Sequence, residues 1–143
     1  MDDPHSPRPV AGWFRPAAIV SLLFMALGCA VYVMHVTVDP ASLPLDQRAA
    51  YDAEPAWVTA ANAVAVWVGA FGALLLVFRS RRAEILLLVS FVAVIVWLAS
   101  LLLVPGLRDA LSTNDVAVAV VVTLITGTIY SFARHSRQRG WLR

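Results

Sequence analysis

The sequence predicts an all-α integral membrane protein, an antiparallel bundle of four transmembrane helices. Hydrophobic residues make up 60% of the chain and charged residues only 14%, against roughly 25% charged residues in soluble globular proteins. Four stretches lack Asp, Glu, Lys and Arg, and each has about 18 to 23 residues, enough to cross a hydrocarbon layer of about 30 Å as a helix. The predicted spans are residues 16–38, 56–78, 85–104 and 116–133.

The rest of the chain is connector and tail, so a single membrane domain is expected over residues 1–143. The longest connector, residues 39–55, is too short for a soluble domain. Residues 1–15 and 134–143 are predicted to be tails on the same side of the membrane.

The distribution of arginine predicts the orientation. The two tails and the second connector together hold nine arginines, whereas the first and third connectors hold only Arg48 and Arg108. Because cytoplasmic segments are enriched in basic residues, both termini are predicted to be cytoplasmic. All eleven basic residues are Arg, which suggests a GC-rich bacterial gene, so the expected location is the bacterial inner membrane.

The first connector and the second span have distinct local patterns. Pro44, followed by good helix formers, predicts a short helix lying on the membrane surface. In the second span, small residues recur every four positions, which predicts a tightly packed helix contact in lipid. The partner could be another helix of this chain or a second copy in a homo-oligomer. The residues of this face are Ala61, Ala65, Gly69, Gly72 and Ala73.

The third and fourth spans have clear boundaries. Pro105-Gly106 ends the third span, and Ser112 or Asn114 is placed to cap the fourth. The fourth span is rich in β-branched residues, but a helix is the state that satisfies its backbone groups in lipid.

Polar residues near the outer ends of the spans form the candidate site. Tyr32, His35 and Asp39 recur at three- and four-residue steps on one face of the first helix. Residues on the other spans fall at a similar depth and could converge with them on a polar pocket that opens outward. Alternatively, Tyr32 and His35 anchor the helix at the interface, and Asn62 bonds to a neighbouring helix. The candidates are Tyr32, His35, Asp39, Asn62, Ser100 and Asp115.

Several kinds of chemistry are not expected from these residues. The other histidines, His5 and His135, lie in the predicted tails, so no histidine cluster for a metal or haem is expected. The single cysteine, Cys29, excludes an internal disulfide. No cofactor is expected. The basic runs lie at helix ends, where contact with the lipid bilayer accounts for them, so no nucleic-acid partner is expected.

Short segments carry a family resemblance. They are Tyr32-Val-Met34-His-Val-Thr37, Gln47-Arg48-Ala-Ala-Tyr51, Pro55-Ala-Trp57 and Arg139-Gly-Trp-Leu-Arg143. With these motifs, most of the chain resembles small uncharacterised four-helix inner-membrane proteins of proteobacteria, some of which carry a loose sugar-transporter label. The resemblance implies the same topology and brings no catalytic residue with it.

Three classes of function follow. The preferred interpretation is a non-enzymatic membrane component that binds a membrane-protein partner or assembles with copies of itself. The alternative is a subunit of a small oligomeric transporter or channel, with the outer polar cluster as its vestibule. An enzyme is disfavoured, because His35 and Asp39 would have to face an acid or nucleophile from another helix across a closed cavity.

Overall fold

The computed structural model describes residues 9–143, and all regular structure in that range is helical. The α-helices are α1 (Phe14–Thr37), α2 (Leu45–Ala53), α3 (Ala56–Val77), α4 (Arg82–Leu103), α5 (Pro105–Ala110) and α6 (Thr113–Gln138), and a 3₁₀ turn covers Pro40–Ser42. Of these, α1, α3, α4 and α6 are long and apolar enough to cross a membrane. The prediction of an all-α bundle with four such helices is confirmed. Residues 1–8 of the predicted N-terminal tail lie outside the described residues.

The surface of the bundle is apolar along its length. Leu23 and Leu27 of α1 and Leu124 of α6 are each more than 60% exposed. Soluble monomers rarely present such continuous apolar surface. In lipid this exposure has no hydrophobic cost, because hydrocarbon tails are as apolar as leucine.

The helix that contains the fourth predicted span extends beyond that span at both ends. Its helix, α6, begins at Thr113 and ends at Gln138, beyond both bounds of the predicted span 116–133. At its start, the Ser112 side chain and Asp115 form a capping box, which confirms Ser112 as the cap. At its end, His135 and Arg137 lie in the last turn, where positive charge is favourable. Part of the predicted C-terminal tail is therefore helix.

Neighbouring spans in the sequence are neighbours in space. Helices α3 and α4 have the most extensive contact, while α1 packs on α3 and α6 packs on α4. We call the end that contains the start of α1, the α3–α4 connection (residues 78–81) and the end of α6 the arginine end. We call the opposite end, which carries α2 and α5, the cap end.

Two buried clusters form the core. The larger one lies toward the arginine end and joins all four spans, as shown by Met25, Leu76, Leu87 and Ile129. The smaller one lies toward the cap end and contains Val58, Leu101, Leu107 and Ala119. At the cap end, the short helices α2 and α5 contact each other, and α5 also contacts α4.

The small residues of α3 are covered within the chain. Ala65 and Ala73 are almost fully buried, and Gly69 and Gly72 are buried with them, whereas Ala61 is half-buried. Ser90 of α4 donates a hydrogen bond to the Ala65 carbonyl oxygen at 2.6 Å. The buried part of the predicted packing face therefore meets helices of the same chain.

The short helix predicted in the first connector is confirmed as α2, which follows Pro44. Its Arg48 holds the preceding turn in place. The guanidinium donates from Nε to the Pro40 carbonyl oxygen at 2.9 Å and from Nη2 to the Ala41 carbonyl oxygen at 2.6 Å. These bonds fix α2 close to the end of α1.

Residues 141–143 fold back onto the α3–α4 connection. Gly140 has φ 72°, a left-handed conformation that lets the chain reverse after α6. The Arg143 amide donates to the Arg79 carbonyl oxygen at 2.6 Å, and the Arg81 amide donates to the Arg143 carbonyl oxygen at 3.1 Å. Trp141 and Leu142 are 7% and 1% exposed, so this segment is part of the core.

Candidate functional site

A histidine and a glutamate from different elements meet at the cap end. His35 lies in the last turns of α1, and Glu54 is the first of the two residues between α2 and α3. The Nε2 atom of His35 is 3.1 Å from Oε2 of Glu54. The other carboxylate oxygen, Oε1, accepts a hydrogen bond from the Thr59 hydroxyl at 2.7 Å. Glu54 thus joins α1 to the first turns of α3.

The local sequence places Glu54 at this corner. Pro55 follows it and, lacking an amide hydrogen, cannot continue α2 but is suited to precede α3. Thr59 lies one turn into α3, on the side that faces back to Glu54. A carboxylate at the start of α3 is also favoured by the helix dipole.

His35, Glu54 and Thr59 line a cleft with a volume of about 180 Å³. The Tyr51 ring forms one wall, with its centre 5.3 Å from that of the His35 imidazole. Pockets for drug-sized molecules are typically about 300–1,000 Å³, so this cleft fits a small solute or one side chain of a partner. Its lining residues are His35, Val36, Tyr51, Glu54 and Thr59.

The cleft favours the charged form of its carboxylate. Burial opposes ionisation of Glu54, whose side chain is 13% exposed. The hydrogen bonds from His35 and Thr59, with the charge of His35, outweigh that burial and lower the pKa of Glu54 below its usual value. A largely buried carboxylate next to an aromatic ring is suited to accept a hydrogen-bond donor or a cation.

The order of the groups does not match that of a catalytic triad. In a triad, the imidazole lies between the hydroxyl nucleophile and the carboxylate. Here the carboxylate of Glu54 lies between Thr59 and His35. The imidazole therefore does not accept the Thr59 proton, and these three groups do not form a catalytic triad.

The structure gives several of the predicted site residues other partners. Asp39 accepts a hydrogen bond from the Ala41 amide at 2.9 Å and so caps the 3₁₀ turn. Ser100 donates to the Trp97 carbonyl oxygen of its own helix at 2.6 Å. Asp115 is engaged by Ser112 in the capping box.

Only His35 among the predicted site residues lines the cleft. Tyr32 and Asn62 are half-buried on α1 and α3 and lie outside the lining. Sequence reasoning did not single out Tyr51, Glu54 or Thr59. The available signal was an acid directly before Pro55, at the start of an apolar span, where an acid can both face the interface and interact with the helix dipole.

A second depression lies between α4 and α6 on the lipid-facing side, with a volume of about 420 Å³. Phe91 and Tyr130 stack there with ring centres 5.9 Å apart. The hydroxyls of Thr128 and Ser131 donate to carbonyl oxygens of their own helix. These hydroxyls are engaged within α6, so this depression is not the candidate site.

No group of three or more potential metal-binding side chains occurs among residues 9–143. Comparisons of the chain with protein-family models, with curated proteins and with solved structures give no match.

Proposed function

We propose that this chain is a non-enzymatic component of a membrane assembly, and that it recognises a membrane-protein partner through the cleft at its cap end. The observation that carries this proposal is the largely buried Glu54 carboxylate, held between His35 and Thr59 and open to a cleft the size of one side chain. A donor or cation on the partner would enter beside the Tyr51 ring.

The helix packing supports binding to a different protein over self-assembly. The small-residue face of α3, the surface that suggested a second copy, is largely covered by α1 and α4 of the same chain. The cap end retains polar groups outside the lipid-facing surface of the spans, where a partner's own extramembrane segment can reach them.

The proposal includes a location and an orientation. We place the chain in the bacterial inner membrane with the arginine end in the cytoplasm, among the small four-helix proteins that its sequence resembles. The support is the concentration of arginine at one end of the bundle, which follows the usual bias of cytoplasmic segments.

Photo-crosslinking in native membranes tests the partner. A photoreactive phenylalanine analogue replaces Tyr51, whose ring lies against His35 in the cleft. We expect one adduct of defined mass that disappears when Glu54→Gln is added. The matched control places the analogue at Phe71, an exposed side chain on the lipid-facing surface of α3. An equal adduct at Phe71, or none at Tyr51, would contradict partner recognition at the cleft.

Labelling of single cysteines tests the orientation. In a Cys29→Ser background, Gln47→Cys reports on α2 at the cap end and Gln138→Cys reports on the arginine end. A membrane-impermeant maleimide added to intact spheroplasts should label position 47 and leave position 138 unlabelled until the membrane is opened. The reverse pattern would invert the proposed orientation.

A further inference from the structure

The arginine end carries a dense array of positive charge. Among residues 9–143, eight arginines lie at this end together with one acid, Glu84, which is bound by Arg137. Charge of one sign at this density creates a potential that attracts anions. The arginines are Arg15, Arg79, Arg81, Arg82, Arg134, Arg137, Arg139 and Arg143.

The array is fixed by the fold. Arg79 donates from Nε to the Trp141 carbonyl oxygen at 2.8 Å, and backbone hydrogen bonds join residues 79–81 to Arg143. Trp141 in turn contacts the aromatic rings of Trp13 and Phe14. The arginines of α1, the α3–α4 connection and α6 are therefore held around one packed centre, which lowers the entropy cost of binding one anion with several of them.

Exposed aromatic side chains place this array at the depth of the lipid headgroups. Trp13 is 54% exposed and Phe78 is 71% exposed, and both lie where apolar helices end and arginines begin. Tryptophan at such positions is typical of the membrane–water interface. Arg15 and Arg79 are within two residues of these rings in the sequence, so we expect their guanidinium groups at the depth of the lipid phosphates.

We propose that the arginine end binds the phosphate groups of anionic phospholipids in the adjoining leaflet. Guanidinium groups pair with phosphate through two parallel hydrogen bonds, and both zwitterionic and anionic headgroups contain a phosphate that can accept them. Only an anionic headgroup also carries a net negative charge that attracts the arginines. Most of these arginines lie at helix ends or in the short α3–α4 connection, so they can contact the bilayer surface without a change in fold.

This inference is independent of the proposed partner site, which lies at the opposite end of the bundle. The test uses the full chain purified in an uncharged detergent. Thermal unfolding is measured after addition of phosphatidylglycerol or of phosphatidylcholine with the same acyl chains, and bound lipids are counted by native mass spectrometry. Phosphatidylglycerol should raise the Tm by several degrees more than phosphatidylcholine and remain bound in larger number.

The double variant Arg134→Gln/Arg139→Gln removes two exposed guanidinium groups at the end of α6, and it should lose at least half of the extra rise in Tm. Arg108→Gln, at the cap end, is the matched control because its side chain is 67% exposed, and it should keep the whole rise. If the double variant cannot be purified, Arg82→Gln is tested in its place, and it should lose a smaller part of the extra rise in Tm.

Three results would overturn the proposal. The first is an equal rise in Tm with both lipids, and the second is a full rise in the arginine variants. The third is the same rise with inorganic phosphate alone, which would indicate a site for a soluble anion and not for a lipid surface.

Discussion

Gly69 of α3 and Ser90 of α4 lie so close together that a β-carbon added at Gly69 would stand 2.5 Å from the Ser90 hydroxyl oxygen. The same β-carbon would stand 2.8 Å from the sulfur of Met25 on α1. Gly69 is thus a point at which α1, α3 and α4 approach closely, and the absence of a side chain there permits the contact.

Substitution of Gly69 by Ala should destabilise the bundle by about 1–3 kcal/mol, the usual cost of inserting a carbon into a packed core. The measurement is thermal unfolding in detergent. Gly28→Ala is the matched control, because its new β-carbon would meet Val66 at an ordinary 3.4 Å and alanine favours a helix by about 0.8–1 kcal/mol. Equal Tm values for the two variants would contradict the close approach at Gly69.

Removal of the Ser90 hydroxyl should lower the free energy of unfolding by less than Gly69→Ala does. Ser90→Ala loses the interhelical bond to the Ala65 carbonyl oxygen, and such bonds contribute on average about 0.6 kcal/mol in membrane proteins. In Ser100→Ala, the lost bond is to Trp97 of the same helix, so a smaller change is expected. A larger loss of unfolding free energy for Ser100→Ala than for Ser90→Ala would reverse the assignment of the interhelical bond.

Because of Glu54, the stability of the protein should decrease as the pH falls in the acid range. Because its pKa is lowered in the folded protein, the stabilisation is present above its unfolded value of about 4.5 and is lost as pH falls through the lower, folded value. Between pH 6 and 3, the Tm of the wild type should fall more steeply than that of Glu54→Gln, which has no proton to gain. Parallel curves would show that Glu54 is not held as a carboxylate by His35 and Thr59.

The docked segment 141–143 should stabilise the arginine end. Trp141 is 7% exposed and packs edge-on against Trp13 and Phe14, so Trp141→Ala should cost about 3 kcal/mol or more, as for other buried aromatic residues. Trp57 is the matched control because it is 52% exposed at the cap end. If thermal unfolding shows equal losses for Trp141→Ala and Trp57→Ala, residues 141–143 do not pack as described.

The four long helices could be predicted from sequence because their main determinant is local. A stretch without charged residues has to form a helix in lipid, whatever its neighbours are. Ser112 could be predicted as a cap for the same reason, since its partner Asp115 lies within one turn. The apolar pattern says less about where a helix ends, and α6 continues past Ala133 to Gln138 with basic side chains that favour its last turn.

The site was harder to predict because its key contact is not local. His35 and Asp39 are four residues apart, which suggests a pair on one helix face, but α1 ends at Thr37 and Asp39 turns to cap the following residues. The partner of His35 is Glu54, which reaches it because α2 folds back beside the end of α1. No sequence spacing specifies that return.

The same limit applies to the small residues of α3. Their four-residue spacing predicts close contact with some helix, and it does not identify which one. The three-dimensional arrangement supplies Ser90 and Met25 as the neighbours of Gly69.

Helices α3 and α4 are central in the bundle, and α1 and α6 are the outer helices. Helix α6 packs mainly on α4, whereas α3 is covered on one side by α1 and on another by α4. Transient local opening should therefore involve the outer helices α1 and α6 before the central pair, while amide hydrogens of α3 remain the slowest to exchange with deuterium. A protein of this design would have two outer helices that open more readily than the central pair, so a neighbouring protein in the bilayer could displace part of an outer helix without separating α3 from α4.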